Sequence, residues 1–305
     1  MANLMLLKFY WLDTPAEWIL LVFDILFVIF VVMNIVDINR FEVRKVKLTT
    51  DKLKKDEKVR FVFLADLHSH KFSGDNEGLL KSIEKQNPDF IVIGGDMMTA
   101  RPGKNNRVAI SFLRRLLEKN VVYYGLGNHE HRSRLYPETY GKMYEEYFNA
   151  IASDNLKVLD NTTMVEPKSG IEIAGLTIDR SYYKRFKRIK MDPAYVGETV
   201  APAENSSGNP YKILIAHNPE YGDAYFETDY DLFLSGHLHG GIIRLPGIGG
   251  VAAPSFHLFP KYNGGLYKNK AGNKAGYVSC GLGTHTVPMR FLNPGEVTVI
   301  EISGK

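Results

Sequence analysis

The chain of 305 residues is 45% hydrophobic and 24% charged, with 38 Lys+Arg against 34 Asp+Glu and a single cysteine. Such a composition excludes disorder as the main state, and the length supports one large domain or two small ones around a sizeable core. One cysteine, Cys280, excludes an internal disulfide framework and a Cys-rich zinc module.

The net charge of +4 conceals two unlike regions. Residues 1–39 hold one base, Lys8, four acids, Asp13, Glu17, Asp24 and Asp37, and no histidine. The remainder holds 37 bases, 30 acids and all nine histidines.

Trp18 to Val36 is a run of 19 residues whose only polar members are Asp24 and Asn34. About 20 apolar residues cross a hydrocarbon layer of ~30 Å as a helix. Tyr10, Trp11 and Trp18 gather on its N-terminal side, as an interfacial aromatic belt would place them. No basic start and no small-residue cleavage site marks a removable signal peptide. A buried core helix is the competing reading, and Asp24 leans toward it, since a mid-membrane acid costs about 2.5–3.5 kcal/mol. The apolar remainder absorbs that cost, so residues 1–40 read as a single-pass membrane anchor. Arg40 to Arg60 carries nine bases against four acids, which predicts that the following domain, residues 41–305, lies on the cytoplasmic side.

After residue 40, short β-rich runs alternate with helical stretches. Strand candidates are Arg60–Ala65, Phe90–Gly94, Val121–Gly125, Ile171–Gly175, Lys212–Ala216, Asp231–Ser235, Gly276–Cys280 and Glu296–Ile302. Helix candidates are Glu77–Gln86, Arg107–Lys119 and Glu138–Ala152, and Gly197–Pro210 reads as an exposed loop. Near-continuous apolar strands between helices indicate an α/β protein with buried sheets.

Five strand candidates end in residues of metal-ligand type: Asp66-x-His68, Gly95-Asp96, Gly127-Asn128-His129-Glu130, His217-Asn218 and Gly236-His237-x-His239. Each alone is an ordinary turn or a satisfied histidine. In open α/β sheets, ligands bind beyond the carboxyl ends of the strands, so the five together predict one convergent site. Carboxylate, imidazole and amide donors without thiolate suit Mn²⁺, Fe or Zn²⁺. A carboxylate such as Asp96 can bridge two ions ~3.5–4 Å apart, the spacing of two-metal hydrolases.

The set DLH (66–68), GGD (94–96), GNHE (127–130), AHN (216–218) and GHLH (236–239) resembles the calcineurin-like metallophosphoesterase superfamily. The ending GLGTHTVPMRFLNPGEV (281–297), with the N-terminal span, is similar to a bacterial membrane-anchored branch labelled UDP-2,3-diacylglucosamine pyrophosphatase-like. The resemblance implies a four-layer α-β-β-α sandwich of two mixed sheets and a metal-dependent phosphoric ester hydrolase, with residues 41–305 as its catalytic domain. It implies two divalent ions, Mn²⁺ foremost. One is assigned to Asp66, His68, Asp96 and His239, the other to Asp96, Asn128, His217 and His237. His129 is the catalytic residue, protonating the leaving oxygen or stabilising its charge. Thr99 stands where many relatives carry a further Asp, and Glu130 replaces a commoner Asp.

His70 and His131 each lie two residues beyond a motif histidine, facing substrate or solvent. His285 and Arg290 read as structural, and His257 has no motif support. Arg180–Lys190 interleaves six bases with Tyr182, Tyr183 and Phe186, suiting anionic headgroups or a solvated helix face. Nucleic acid is the less favoured partner, because an anchor confines the domain to a membrane. These features predict hydrolysis of a phosphodiester or pyrophosphate in a lipid-linked or nucleotide-sugar-lipid substrate. The alternatives are a nuclease or cyclic-nucleotide phosphodiesterase with the same chemistry, and a non-catalytic scaffold.

Overall fold

The structure, a computed structural model, describes residues 14–184, 189–206, 208–241, 243–245, 247–251, 258–284 and 288–305. Helix α1 (Pro15–Asn39) leads directly into β1 (Phe41–Thr50), followed by β2 (Lys58–Leu64), α2 (Glu77–Glu84), β3 (Phe90–Ile93), α3 (Arg107–Leu117) and β4 (Val122–Gly125). Next come α4 (Asn128–Leu135), α5 (Pro137–Tyr140), α6 (Met143–Ala150), β5 (Leu156–Leu159), β6 (Thr162–Val165) and β7 (Glu172–Leu176). The chain continues through α7 (Ala194–Thr199), β8 (Lys212–Ala216), α8 (Gly222–Phe226) and β9 (Leu232–Ser235). It closes with β10 (Arg244–Leu245), β11 (Gly249–Gly250), β12 (Gly265–Lys268), β13 (Ala275–Val278) and β14 (Gly295–Gly304).

Two six-stranded mixed sheets form, ordered β1-β14-β2-β3-β4-β5 and β12-β13-β9-β8-β7-β6. In the first, β2 to β5 are parallel and β14 runs antiparallel to β2; in the second, β13, β9, β8 and β7 are parallel between antiparallel edges. Phe61, Phe63, Val92 and Ile300 of the first sheet meet Ile213, Ile215, Leu234 and Tyr277 of the second in the central core. On the outer face of the first sheet, Leu79, Phe112 and Tyr147 of three helices pack on Val62, Ile91 and Val297. Outside the second, Val196 and Tyr225 cover Leu214 and Phe233. The four layers are therefore α-β-β-α. Strands buried on both faces explain why FVFL, FIVI and KILIA carry no alternation.

Helix α1 begins with a capping box: Thr14 N–H donates to Glu17 Oε2 (3.0 Å), Glu17 N–H donates to Thr14 Oγ1 (3.4 Å), and Pro15 occupies the first turn. Its flank is bare, with Phe23 65% and Phe27 66% exposed. Its C-terminal half makes the hydrogen bonds and ring contact that join it to the domain among the described residues. Arg290 N–H donates to Asn34 Oδ1 (2.7 Å), Asn293 N–H donates to Asp37 Oδ2 (3.0 Å), and the Phe30 and Phe291 rings lie 5.0 Å apart. Among the described residues this is one helix long and apolar enough to cross a membrane.

Several elements differ from the sequence reading. The basic flank after residue 40 contains a strand, β1: Phe41 and Val43 face the helix-side core while Val46 and Leu48 face the central core, so its apolar residues change phase among charges. The expected helix Glu138–Ala152 is broken at Gly141, whose φ of 61° is left-handed, into α5 and α6. Helix α4, NHEHRSRL, is polar except for its last residue, Leu135, and shows no apolar period. Helix α7 takes up the beginning of the expected loop Gly197–Pro210.

Candidate metal centre

Five parallel strands deliver the site residues from their carboxyl ends. Asp66 and His68 follow β2, Asp96 follows β3, Asn128 and His129 open α4 after β4, His217 follows β8, and His237 and His239 follow β9. Tight turns aim them inward: Asp66, His68, Asp96, His237 and His239 all have φ between 48° and 68°. Non-glycine residues rarely adopt this region, and such strain persists where the surrounding fold fixes a functional geometry. Two motif glycines make room. A Cβ on Gly127 would fall on the Asp96 carboxylate, and one on Gly236 on that of Asp66.

Asp96 is the hub. Its Oδ1 accepts the His129 N–H (2.7 Å), while Oδ2 lies 3.2 Å from His217 Nε2, 3.7 Å from His68 Nε2 and 4.0 Å from His129 Nε2. Asp66 Oδ1 lies 3.7 Å from His239 Nε2 and 3.8 Å from His217 Nε2, and the His68 and His239 Nε2 atoms are 3.2 Å apart. Three overlapping groups bring donor atoms within 4.8 Å of one another: Asp66, His68 and His239; Asp96, His217 and His237; and His68, Asp96 and His129. Asn128 Oδ1 is buried with no hydrogen-bond partner among the described residues.

The electrostatics suit cations. Burial pushes the Asp66 carboxyl up to about 7, against His217. Burial would also raise Asp96, but His217, His129 and His68 outweigh it and hold that carboxyl well below its usual range. Burial would lower His217, yet Asp96 and Asp66 keep it up at about 10. Closely packed imidazoles around two buried carboxylates, with an orphaned amide oxygen beside them, form a donor set that fits divalent ions. Histidine orientation is fixed from behind: His217 Nδ1 lies 2.6 Å from Gly94 O and His239 Nδ1 3.2 Å from Gly283 O. Such outer partners set the nitrogen offered to a metal.

Glu130, noted above only as a motif variation, and Asn293 brace this geometry. Glu130 is fully buried, and its carboxylate accepts the N–H groups of Asp96, Met97, Met98 and Gly127 and the Tyr124 hydroxyl. Burial nonetheless pushes it up to about 7. Its role was hidden because only the fold shows which amides face it. Asn293 Nδ2 donates to His239 O (2.7 Å) and Gly241 O (2.8 Å). A cavity of about 680 Å³ beside His68 and His129 is lined by Arg101, Lys104, Arg132 and Tyr140, with no acid among its described walls. The Tyr183 ring lies 5.3 Å from that of His237.

Other candidates fall outside the cluster. His70 packs edge-on to Phe72 and hydrogen-bonds the Ile38 backbone of α1, and burial lowers its pKa. His131 faces Arg134 and Asp160, and burial, then Arg134, lower it to about 4. Thr99 Oγ1 donates to His68 O (3.0 Å), holding the DLH turn. Arg290 is buried and donates to the carbonyls of Cys280, Gly281, Gly283, Asn293 and Pro294, a structural role. His257, His285, Tyr10, Trp11 and residues 185–188 of the basic stretch lie outside the described residues.

The sequence profile described as calcineurin-like phosphoesterase matches residues 59–241, the span that holds all five of the His- and Asp-bearing motifs. The chain belongs to this family. Calcineurin-like phosphoesterases are metal-dependent phosphoester hydrolases, in keeping with the clustered His and Asp side chains. The chain is 31% identical over 274 residues to an uncharacterized metallophosphoesterase of Campylobacter jejuni, covering 87% of this chain but only 64% of that protein. It is 30% identical to an uncharacterized metallophosphoesterase, YkuE, of Bacillus subtilis, covering 75% of this chain and 72% of the relative. It is 26% identical to the phosphodiesterase YaeI of Escherichia coli, covering 80% of this chain and 82% of the relative.

Proposed function

We propose that this calcineurin-like phosphoesterase is a single-pass membrane enzyme that uses two divalent ions, Mn²⁺ foremost, to hydrolyse a phosphodiester or pyrophosphate bond. Residues 1–40 serve as its anchor and residues 41–305 as its cytoplasmic-side catalytic domain. Asp66, His68, Asp96 and His239 hold one ion, and Asp96, Asn128, His217 and His237 the other. The observation that carries this is Asp96, whose Oδ2 faces three imidazole nitrogens within 4.0 Å from loops of both sheets. When bound, the ions supply Lewis-acid neutralisation of phosphoryl charge and lower the pKa of the attacking water.

The protein's own groups do the rest. The Ala100 N–H donates to His129 Nδ1 (2.8 Å), so the neutral ring carries its proton on Nε2, the nitrogen that faces Asp96. Arg132 Nη2 lies 3.3 Å from the same Nδ1, and a guanidinium N–H there can only donate, which agrees with Nδ1 as the acceptor. His129 therefore acts as an Nε2–H donor that stabilises charge on a phosphoryl or leaving oxygen, the second of the two roles its position allows. Arg101, Lys104 and Arg132 give the adjoining cavity a positive field for a further anionic group of the substrate. A pyrophosphate or charged lipid headgroup meets that requirement, as the UDP-2,3-diacylglucosamine pyrophosphatase-like branch would. The Escherichia coli relative is named a phosphodiesterase, which supports cleavage of a diester.

The test uses full-length protein with Mn²⁺ and bis(p-nitrophenyl) phosphate. Turnover should vanish with chelator and fall at least about 10³-fold in Asp96→Asn, with elemental analysis showing fewer than two ions bound. Undiminished turnover in Asp96→Asn would overturn the assignment.

A further inference from the structure

We propose that the catalytic domain itself rests in the bilayer through a second apolar surface, made by the β10–β11 hairpin, Leu258, Phe259 and Leu292. The proposal rests on the reading of α1 as a membrane span.

Outside α1, nine large apolar side chains are exposed among the described residues, and five of them belong to this surface: Leu245 (37%), Ile248 (58%), Leu258 (67%), Phe259 (61%) and Leu292 (37%). Backbone pairing joins them. Leu245 pairs with Gly249 across the hairpin, Ile243 bridges Phe291, Arg244 N–H donates to Phe291 O (3.1 Å), and Phe259 N–H donates to Val251 O (2.9 Å). Leu245, Ile248 and Leu292 line one shallow concavity whose other side chains are Arg244, Lys261, Asn263 and Tyr267, an apolar rim beside polar groups, of which Lys and Tyr are typical of membrane–water interfaces. Contiguous exposed apolar surface of this kind marks an interaction site.

Depth along α1 identifies the occupant. Phe291 packs on Phe30, six residues before Val36, so the contact lies about 9 Å inside the apolar run at 1.5 Å per residue. A domain loop that meets the helix at that depth has to enter the hydrocarbon beside it, and Leu292 and the hairpin come with it. The bare flank of α1 and the five side chains then share one medium, lipid, which a protein partner would cover only by wrapping the helix as well. Backbone conformation agrees. Phe259 (φ 50°) and Leu292 (φ 52°) are in the left-handed region that bulky residues avoid, and both are exposed.

The metal centre is tied to this surface. The hairpin starts five residues after His239, and Asn293, next to Leu292, bonds the carbonyls of His239 and Gly241. The same loops thus carry both the candidate site and this surface, and the substrate class that fits the pairing is a phosphoester held in the bilayer surface.

The experiment places a bimane label on full-length protein in phosphatidylcholine–phosphatidylglycerol vesicles containing doxyl lipids. Single sites are Ile248→Cys, Phe259→Cys, Ile25→Cys on α1, and Glu118→Cys at the end of α3; native Cys280 is fully buried and does not label. Quenching at Ile248 and Phe259 of at least half that at Ile25, with little at Glu118, is the expected result. Quenching at Ile25 without quenching at Ile248 and Phe259 overturns the second surface and leaves the span intact. Equal quenching at Glu118 also overturns it. No quenching at Ile25 overturns the span reading and the proposal with it.

Discussion

The two walls of the candidate metal centre are braced in different ways. The wall from the first sheet, Asp66, His68, Asp96, Asn128 and His129, is held internally by the buried Glu130 carboxylate, which ties the Asp96 turn to the start of α4. The wall from the second sheet, His217, His237 and His239, is held from behind by carbonyls and by Asn293, whose N–H is in turn bound by Asp37 of α1. One wall depends on the local sequence around the GNHE motif. The other depends on a contact with a helix more than 250 residues away. Their responses to mutation should separate accordingly.

The largest effect is expected at Glu130. Glu130→Gln replaces one acceptor oxygen with an amide that cannot accept, leaving buried N–H donors unpaired at about 1–3 kcal/mol each. Whichever oxygen is lost, Oε1 (Met97, Met98, Tyr124) or Oε2 (Asp96, Gly127), at least two donors are stranded. Stability should drop by about 2–6 kcal/mol, and turnover should fall with it as the Asp96 turn loosens. Calorimetry alongside a phosphodiesterase assay measures both. A variant of wild-type stability and rate would show that the first wall is not braced this way.

What the sequence made legible follows from this difference. The convergence of the five motifs could be read because each sits at the end of an apolar strand, and fixed spacing within a motif survives into the turn. The buried strands could be read from runs such as Phe90–Ile93 because both faces are covered. Strand β1 was concealed because its two faces serve two cores, which interrupts any single alternation. Helix α4 was concealed because a cap and a buried glutamate, rather than an apolar stripe, make it. Asn293 was beyond reach for a further reason: a side chain that bonds backbone carbonyls 52 and 54 positions away leaves no local signal.

Asn293→Ala should sharpen the contrast between the walls. Loss of an outer partner to a ligating residue typically weakens metal binding 10–100-fold, so the ion assigned to Asp66, His68 and His239 should be released first on titration with a weak chelator. Release of both ions at the same chelator concentration would erase the distinction. Asp37→Ala, which removes the acceptor of Asn293 N–H and of Arg40 Nε, should have the same sense but smaller size, a few-fold in turnover. Full activity in Asp37→Ala would mean that α1 positions the domain without supporting its second wall.

The last effect, separate from the metal ions, should appear in the pH dependence of stability, through His131 on α4. Burial, then Arg134, depress its folded pKa to about 4, while the unfolded chain titrates near the ordinary value of 6.5. The folded state thus resists a proton that the unfolded state accepts. The stabilisation is complete above about pH 6.5, declines as pH falls toward 4, and changes no further below that. One group accounts for a slope of at most about 1.4 kcal/mol per pH unit. His131→Gln should flatten unfolding free energy across that window by up to this slope while leaving metal content unchanged, because the ring faces Arg134 and Asp160 rather than the ligands. Loss of bound metal in His131→Gln would extend the first wall by one more residue than its hydrogen bonds define.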